Sequence, residues 1–328
     1  MVRAWLCDRY GAPSIIRLGE WNVARPGPGE VRIALDYAGV NFPDLLAIEG
    51  AYPIKSPPPF VPGVEGAGTI IECGQDVTRL SPGDRVCWQD NVVKGSFSEE
   101  ITLPEVGVAR IPDGLSSRIA SIVPTAFGTA HFALRHRAQL AAGESLVVHG
   151  ASGGVGLACV QLGKLLGAVV IATGSDDAKL ATVKSLGVDH IINAKTEPVR
   201  DRILELTGGR GADVHVDPVG GEMFDASMRA IAPYGRILVV GFTSGVFPTA
   251  RANILLVKSA SVIGANYGYF LATETTAART QIESMMDWIV QGRFSPHIHA
   301  EFPFLRCIDA LTTLSERRVV GKCVIAVG

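Results

Sequence analysis

A chain of 328 residues has room for two domains, and its formal net charge of −2 provides no general attraction for nucleic acid or an anionic membrane surface. The sequence is 47% hydrophobic with 37 glycines, which is typical of a well-packed α/β protein, yet no apolar stretch reaches the ~18 residues of a membrane span. We also expect no secretory signal, and the six scattered cysteines, without a Cys-x-x-Cys pair, favour free thiols in a reducing, cytoplasmic setting.

The first 115 residues are rich in proline and glycine and predict a compact β-rich domain. Residues 31–37 alternate as a half-buried strand, and residues 63–71 predict a strand that is bent by its glycines. Pro43 is placed to open a short helix, and residues 55–62, which include four prolines, predict an extended surface loop.

From about residue 116 the pattern changes to strands that alternate with helices, which is typical of a doubly wound parallel sheet. A long helical region over residues 119–139, broken near Pro124, comes first. The predicted elements that follow are strand 145–149, helix 154–166, strand 168–173, helix 177–186, strand 189–193, helix 198–206, strand 212–217, helix 221–231 and strand 235–241.

Beyond residue 260 the chain returns to a mixed pattern, with a helix predicted over residues 280–291 and a last strand over residues 321–327. We therefore expect an α/β protein in which a doubly wound domain, residues 116–258, is inserted in a β-rich domain made of residues 1–115 and 259–328. A substrate is expected in the cleft between the two domains.

The turn after the strand at 145–149 is the candidate ligand-binding motif of the doubly wound domain. It lies between a short apolar strand and the start of a helix, and its residues are Ala151, Ser152, Gly153, Gly154, Val155 and Gly156. Small residues let a phosphate approach the backbone N–H groups, and the helix points its unpaired N–H groups and positive dipole end at the same place. A second strand follows at the spacing of a βαβ unit, so the turn predicts a site for the pyrophosphate of a dinucleotide.

Short motifs along nearly the whole chain carry a family resemblance. Their order and spacing are specific as a set, and they lie at residues 39–44, 51–53, 59–68, 83–86, 95–99, 151–156 with Gln161 and Lys164 behind, 217–221, 235–236, 241–245 and 321–322. On these motifs the chain resembles the medium-chain dehydrogenase/reductase superfamily, in particular its zinc-free quinone oxidoreductase, or zeta-crystallin-like, branch. The resemblance implies a GroES-like fold for the β-rich domain, a Rossmann fold for the inserted domain, and a homodimer joined through the edge of the Rossmann sheet.

The zinc ligands of alcohol dehydrogenases in this superfamily have no matching set in this sequence. Those enzymes place a Cys where Asn41 stands, a His directly before the position of Glu65, and a third ligand in the region of Thr125. A zinc site needs about four N or S donors. The seven histidines show no ligand spacing apart from one His-x-His pair at residues 297–299, in a predicted surface loop, so we expect no catalytic metal.

Without zinc, the chemistry left to this fold is hydride transfer from a reduced nicotinamide to an acceptor that is activated by conjugation. The resemblance implies that Asn41 and Thr125 lie beside the nicotinamide, and that Tyr52 at the mouth of the cleft donates a hydrogen bond or proton to the acceptor. The alternatives are a helix cap or turn hydrogen bond for Asn41 and Thr125, and a packing aromatic for Tyr52. Asp44 and Lys322 either pair near the cofactor or are solvated charges.

The end of the second Rossmann strand favours NADPH over NADH. NAD-binding folds place a carboxylate there for the ribose 2′-hydroxyl, whereas Gly174 and Ser175 leave room for a phosphate. Asp176 and Asp177 come next, and we interpret both as caps of the following helix.

The resemblance assigns the remaining contacts with the cofactor. It implies that Lys179 and Arg317 contact the 2′-phosphate, while Ala194 replaces a tyrosine that the family uses on the adenosine side. The other residues implied to bind the dinucleotide are Val219, Gly241, Phe242, Thr243, Asn266 and Tyr267.

The predicted function is NADPH-dependent, zinc-independent reduction of a quinone. An enoyl or 2-alkenal reductase acting on enones, acrylates or acyl thioesters has the same fold and hydride donor, and the sequence does not separate the two. An NADPH-binding sensor or crystallin-like protein with little catalysis is the alternative from another class. In each case the expected ligands are small molecules, with no nucleic-acid or membrane partner.

Overall fold

Two large sheets, one mixed and one parallel, organise the chain, and the computed structural model describes residues 1–90 and 95–328. Met1–Gly128 and Gly268–Gly328 form a β-rich unit, and Thr129–Tyr267 form a parallel-sheet unit. This confirms the expected fold class. The domain boundaries predicted at 115/116 and 258/259 lie N-terminal to these divisions and stay a prediction.

The β-rich unit opens with a pair of antiparallel strands that the sequence analysis did not predict, β1 (Val2–Leu6) and β2 (Arg17–Trp21). The N-terminal elements that follow are β3 (Glu30–Val40), α1 (Phe42–Ile48), β4 (Glu65–Cys73), β5 (Arg85–Gln89), β6 (Glu100–Pro104), β7 (Val108–Arg110) and α2 (Ser117–Ala120). The helical region predicted near Pro124 continues as wide π-type turns over Val123–Phe127 and Phe132–Arg137, on either side of α3 (Gly128–His131).

Over residues 145–239 the parallel-sheet unit alternates strands and helices as predicted, while its last helix and last strand were not predicted. Its elements are β8 (Ser145–Val148), α4 (Gly154–Leu165), β9 (Val169–Gly174), α5 (Asp177–Ser185), β10 (His190–Asn193), α6 (Val199–Leu206), β11 (Ala212–Asp217), α7 (Glu222–Arg229), β12 (Ile231–Val239), α8 (Ala252–Lys258) and β13 (Ser261–Gly264). The six strands are parallel and lie in the order β10-β9-β8-β11-β12-β13. This is the doubly wound order, and its direction reverses between β8 and β11.

The predicted start of β12 at residue 235 is wrong. Pro233 and Gly235 are typical of a turn, but Ile231 already pairs with Ala212, and the register between the two strands shifts before the next pair. Between the pairs Ala212–Ile231 and Val214–Arg236, β12 has more residues than β11. Tyr234, with a φ of 62°, lies in this local irregularity of β12. The preceding helix accordingly ends at Arg229 rather than at residue 231.

The C-terminal segment completes the mixed sheet. Its elements are α9 (Tyr267–Thr273), α10 (Thr275–Val290), β14 (Ile298–Pro303), α11 (Cys307–Ser315) and β15 (Lys322–Ala326). The sheet has the order β14-β15-β3-β4-β5-β7, and β6 also pairs with β3. The loop predicted around the His-x-His pair is wrong for His299, which lies exposed within β14.

Strand β3 is the centre of the β-rich unit because it pairs with β4, β6 and β15. Its alternating side chains Val31, Ile33 and Leu35 are buried in one apolar core with Trp88. Each such apolar side chain contributes about 1.5–3 kcal/mol on burial. In the parallel-sheet unit, Val147 belongs to a separate core. Among the helices of the described ranges, none is long and apolar enough to cross a bilayer.

Candidate functional site

The predicted cofactor residues of the parallel-sheet unit follow the carboxyl ends of its strands. These ends share one edge of the sheet, which we call the carboxyl edge, and ligands bind such an edge where the strand order reverses. Backbone hydrogen bonds join neighbouring segments there: Ala151 N donates to Thr173 O in the last part of β9 (3.0 Å), and Thr243 N donates to Pro218 O (3.1 Å). The predicted residues that this edge brings together are 151–156, Ser175, Lys179, Val219, Gly241, Phe242, Thr243, Asn266 and Tyr267.

The turn after β8 has the geometry of an anion site. Gly150 has a φ of 57°, and a Cβ on Gly156 would lie 2.3 Å from the Gly150 carbonyl oxygen, so a side chain at residue 156 would displace the turn. Helix α4 begins at Gly154, and its N-cap residue Gly153 has no side chain with which to cap the first N–H groups. These N–H groups and the helix dipole fit the pyrophosphate of a dinucleotide.

His149 stabilises this turn, a role that the spacing of the histidines does not predict because that spacing bears only on metal binding. Its Nδ1 lies 2.9 Å from Thr173 Oγ1, and its Nε2 lies 2.7 Å from Ser227 Oγ. Burial lowers the pKa of His149, so the ring is neutral and has a single N–H. It therefore donates to one hydroxyl and accepts from the other, which joins β8 to β9 and α7 directly before the turn.

The acidic residues after β9 are both engaged inside the parallel-sheet unit. Asp176 Oδ1 accepts the N–H of Lys179 over 3.0 Å and caps α5, as predicted. The prediction that Asp177 is also a cap is wrong, because its Oδ1 accepts from Asn193 Nδ2 over 2.6 Å. Lys179 lies in the first turn of α5, whereas Arg317 belongs to the β-rich unit and follows α11 with a φ of 56°.

The β-rich unit brings Asn41, Glu65 and Lys322 together at one end of three adjacent strands. Asn41 follows β3, while Glu65 begins β4 and Lys322 begins β15, and both of those strands run antiparallel to β3. Gly39 lies opposite Glu65 in the register. A Cβ on Gly39 would lie 2.4 Å from Glu65 Oε1, so the absent side chain makes room for the carboxylate.

A buried ion pair between Glu65 and Lys322 forms the centre of this cluster, with side chains 0% and 5% exposed. Lys322 Nζ lies 2.8 Å from Glu65 Oε1, and it donates to Val40 O over 2.7 Å and to Asn41 Oδ1. An ammonium has three hydrogens, and here each of them has an acceptor. Both alternatives are therefore wrong for Lys322, which is not solvated and whose ion-pair partner is Glu65 rather than Asp44.

The Asn41 amide is held on both sides. Because Lys322 Nζ can only donate, Asn41 Oδ1 must face it, and Nδ2 then donates to Glu65 Oε1 (2.9 Å) and Gly39 O (3.3 Å). The backbone N–H of Asn41 donates to Asp44 Oδ2 over 2.7 Å at the start of α1. Asn41 is thus the N-cap residue of α1, and its amide has no hydrogen left for a substrate.

Thr125 presents a hydroxyl to this region. Its backbone N–H donates to Glu65 Oε2 over 2.8 Å, and its buried Oγ1 has no hydrogen-bond partner among the described residues. Tyr52 is half-buried and packs against the apolar core that includes Leu45 and Ile48 of α1. Burial, and secondarily the Asp44 carboxyl, raises the pKa of the Tyr52 phenol, so it keeps its proton at neutral pH.

The cluster does not fit a catalytic zinc ion. Glu65 is the one acidic residue at the expected ligand positions, and both of its oxygens already accept hydrogen bonds, one of them from the Lys322 ammonium. A second cation would meet that ammonium at close range. Over residues 1–90 and 95–328 no group of three His, Cys, Asp or Glu side chains has the arrangement of a metal site.

Asp44 is a fully buried carboxyl beside this cluster. Its Oδ1 has no hydrogen-bond partner within the described part of the chain. Burial raises the pKa of Asp44 to about 7 from an ordinary value of 3.8, although the N–H of Asn41 and the charge of Lys322 act in the opposite direction. Asp44 is therefore not the solvated charge that its position in the sequence allowed.

Comparison with known proteins gives matches along nearly all of the chain. Residues 27–113 match the alcohol dehydrogenase GroES-like domain, and residues 154–291 match the zinc-binding dehydrogenase family. The quinone oxidoreductase-like protein 2 homolog of Nematostella vectensis is 35% identical over 98% of this chain and 88% of its own length. A quinone oxidoreductase structure from Pseudomonas syringae has a TM-score of 0.91 at 29% identity, over 100% of both chains. A mycobacterial structure complexed with NADPH has the same TM-score and identity, over 99% of this chain and 100% of its own.

A doubly wound dinucleotide fold joined to a GroES-like β-rich fold defines the class of medium-chain dehydrogenases/reductases. Within that superfamily the chain belongs to the zinc-free quinone oxidoreductase family, and it is an oxidoreductase of this type. The resemblance drawn from the sequence motifs is thereby confirmed.

We expect the Asp44→Asn variant to gain stability relative to the wild type as the pH rises. Asp44 loses its proton near pH 7 when folded but near pH 4 when unfolded, so the folded state binds the extra proton between these values. The stability cost of ionising Asp44 is absent below pH 4, grows by about 1.4 kcal/mol per pH unit, and is complete above pH 7.

Urea unfolding of both proteins at pH 5, 6, 7 and 8 measures this difference. Asp113→Asn, in an exposed turn, is the matched control and is expected to follow the wild type at every pH. A constant difference between Asp44→Asn and the wild type across this range would contradict the ionisation of a buried Asp44.

Proposed function

We propose that this protein is an NADPH-dependent quinone oxidoreductase that transfers a hydride without a zinc ion. The observation that carries the proposal is the Glu65–Lys322 pair, in which an ammonium group neutralises the carboxylate at the expected metal position. A site without a Lewis acid suits an acceptor that is already activated by conjugation, such as a quinone. The NADPH complex of the similar mycobacterial protein supports the choice of hydride donor.

The residues of the carboxyl edge hold the dinucleotide in this proposal. The N–H groups of the turn at 151–156 bind the pyrophosphate, while Val219, Gly241, Phe242, Thr243, Asn266 and Tyr267 surround the nicotinamide and ribose. Lys179 binds the 2′-phosphate in this proposal, while the same role for Arg317, which belongs to the β-rich unit, stays a prediction from the resemblance. Asp176 and Asp177 support this assignment because both carboxylates already accept hydrogen bonds from the protein.

The residues of the β-rich unit act on the acceptor. When bound, NADPH supplies the hydride, and the quinone gains that hydride and one proton to become the hydroquinone. The Thr125 hydroxyl donates a hydrogen bond to the acceptor oxygen, on which negative charge develops. Tyr52, whose raised pKa keeps its phenol protonated, donates a second hydrogen bond or the proton. Asn41 contributes by holding Glu65 and Lys322 in place rather than by donating to the acceptor.

Steady-state oxidation of NADPH with 1,4-benzoquinone, 3-buten-2-one and crotonyl-coenzyme A tests the function. We expect benzoquinone to give the highest kcat/KM and prior dialysis against EDTA to leave the rate unchanged. Faster reduction of the enone or thioester would assign the enoyl reductase alternative instead. Binding of NADPH without turnover of any acceptor would indicate the sensor or crystallin-like alternative.

The Lys179→Ala variant tests the preference for NADPH. Loss of a charge-assisted hydrogen bond to phosphate costs about 1.5–3 kcal/mol, so we expect the Kd for NADPH to rise by roughly 10- to 100-fold while the Kd for NADH is unchanged. Fluorescence titration of the nicotinamide measures both constants. Lys184→Ala, in the last turn of the same helix, is the control, and equal losses for NADPH and NADH in Lys179→Ala would count against the phosphate contact.

We also propose that the protein is a homodimer joined through the β13 edge of the parallel sheet. β13 pairs with β12 on one side, and the adjacent helix α8 has no buried residue. Leu256 and Val257 of α8 are each 82% exposed, an apolar surface of the kind that a second copy covers.

A cytoplasmic location is part of the same proposal, supported by six cysteines that are all free.

We expect the Leu256→Glu/Val257→Glu variant to be monomeric, because two charges would be desolvated in the dimer interface. Light scattering coupled to size-exclusion chromatography measures the mass of the variant and of the wild type. Leu305→Glu changes a side chain that is 61% exposed in the β-rich unit, and this control is expected to stay dimeric. A wild type that is monomeric at tens of micromolar would refute the interface.

A further inference from the structure

Glu65 connects Lys322 and Asn41, on one side of its carboxylate, with Thr125 on the other side. Its Oε1 accepts from Lys322 Nζ (2.8 Å) and Asn41 Nδ2 (2.9 Å), and its Oε2 accepts from the backbone N–H of Thr125 (2.8 Å). All three contacts are made by a carboxylate that is completely buried. The carboxylate therefore joins the start of β4 both to the end of β3 and to the segment that carries the Thr125 hydroxyl.

Thr125 needs this external acceptor because of its place in the chain. It lies in the first turn of the Val123–Phe127 segment, directly after Pro124, where a backbone N–H has no intrahelical partner. Glu65 Oε2 supplies the missing acceptor, and its negative charge lies at the favourable end of the segment. The bond fixes the backbone of Thr125 while leaving its Oγ1 unpaired among the described residues.

We propose that Glu65 and Lys322 are positioning residues for the Thr125 hydroxyl, and this inference rests on the proposed function. The ammonium of Lys322 takes the structural place of a metal ion: it neutralises Glu65, orients the Asn41 amide and is itself saturated by three acceptors. Asn41 then belongs to the residues that hold Glu65 and Lys322 in place. Thr125 Oγ1 is the group that contacts the acceptor oxygen, and the ion pair determines where that group lies.

The surroundings of Glu65 leave little freedom for its carboxylate. The backbone of Gly39 lies so close to this carboxylate that a Cβ on Gly39 would be 2.4 Å from Glu65 Oε1 and 2.7 Å from the Ser121 carbonyl oxygen. Glu65 and Lys322 are both buried, so water does not compete for their hydrogen bonds. A donor that is fixed before the reaction needs no reorganisation when charge develops on the acceptor, and this is the condition for effective stabilisation.

A cycle of variants tests the inference by NADPH oxidation with 1,4-benzoquinone. Thr125→Val removes the hydroxyl at nearly constant shape, and we expect kcat to fall about 100-fold while the Kd for NADPH changes by less than about 2-fold. Glu65→Gln/Lys322→Met removes both charges together and is expected to lower kcat to a similar extent. The triple variant is expected to lose no more than Thr125→Val alone, because all of these changes act through one hydroxyl.

The matched control is Arg32→Met/Glu100→Gln. It neutralises a half-buried ion pair between β3 and β6 in the same sheet and is expected to retain wild-type kcat. If circular dichroism shows the Glu65→Gln/Lys322→Met protein to be unfolded, Glu65→Gln/Lys322→Gln replaces it, since the glutamine keeps amide hydrogens for Val40 and Asn41. Two results would overturn the positioning role. One is a wild-type kcat in the folded Glu65/Lys322 double variant, which we call the charge-free variant. The other is a loss of kcat in the triple variant that equals the product of the losses in Thr125→Val and in the charge-free variant.

Hydrogen exchange separates this inference from the proposed function. The Thr125 amide is expected to be protected in the wild type and to exchange faster in the charge-free variant, whatever acceptor the enzyme uses. Unchanged protection at Thr125 would overturn the positioning role even in an active enzyme. If the wild type oxidises NADPH with none of the acceptors, the proposed function is refuted. Hydrogen exchange at the Thr125 amide then still decides whether the Glu65–Lys322 pair positions this residue.

Discussion

The burial of the Glu65 carboxylate is the constraint on which the β-rich unit depends. Taking a carboxylate out of water costs several kcal/mol, and removing one partner of a buried pair typically destabilises a protein by about 3–5 kcal/mol. The cost is offset here by an ammonium, an amide and a backbone N–H, which leave neither oxygen unsatisfied. Strand register and the missing side chain of Gly39 both follow from the need to keep these groups in contact.

The parallel-sheet unit works by a different physical principle. Its carboxyl edge has a helix terminus, small residues and backbone N–H groups rather than a buried charge. The polar side chains behind the edge, His149 with Thr173 and Ser227, are neutral and hold strands together. In the proposed function the two units therefore have different roles. The parallel-sheet unit presents backbone donors to a charged cofactor, and the β-rich unit presents side chains that a buried ion pair keeps in place.

Local patterns in the sequence predicted the elements of the parallel-sheet unit well. Each strand there is a short apolar run and each helix follows at the spacing of a βαβ unit, so the pattern and the structure have a common local cause. One exception is β12, where Pro233 and Gly235 lie inside a strand because pairing with β11 compensates for their local preference. The others are α8 and β13, which were not predicted. The pair β1 and β2 was missed for a related reason, since it is specified by contacts across the chain.

The candidate site in the β-rich unit was only partly accessible from sequence. The resemblance identified Asn41, Thr125 and Tyr52 as residues of interest, and Asp44 and Lys322 as a possible pair. It could not show that Lys322 contacts Glu65 and Asn41, because that contact depends on the antiparallel register of β15 and β3. Nor could it show that the Asn41 amide is saturated, which requires the positions of all three partners.

The insertion of one unit within the other also sets an order of events during synthesis. Asn41 and Lys322 are separated by 281 positions, so at about 5–20 residues per second roughly 15 to 60 seconds pass between their emergence from the ribosome. All strands of the parallel sheet are made within that interval, and that sheet can close while the mixed sheet still lacks β15. Until then Glu65 has no counter-ion, so the nascent β-rich unit remains open and dependent on the translation of its final strand.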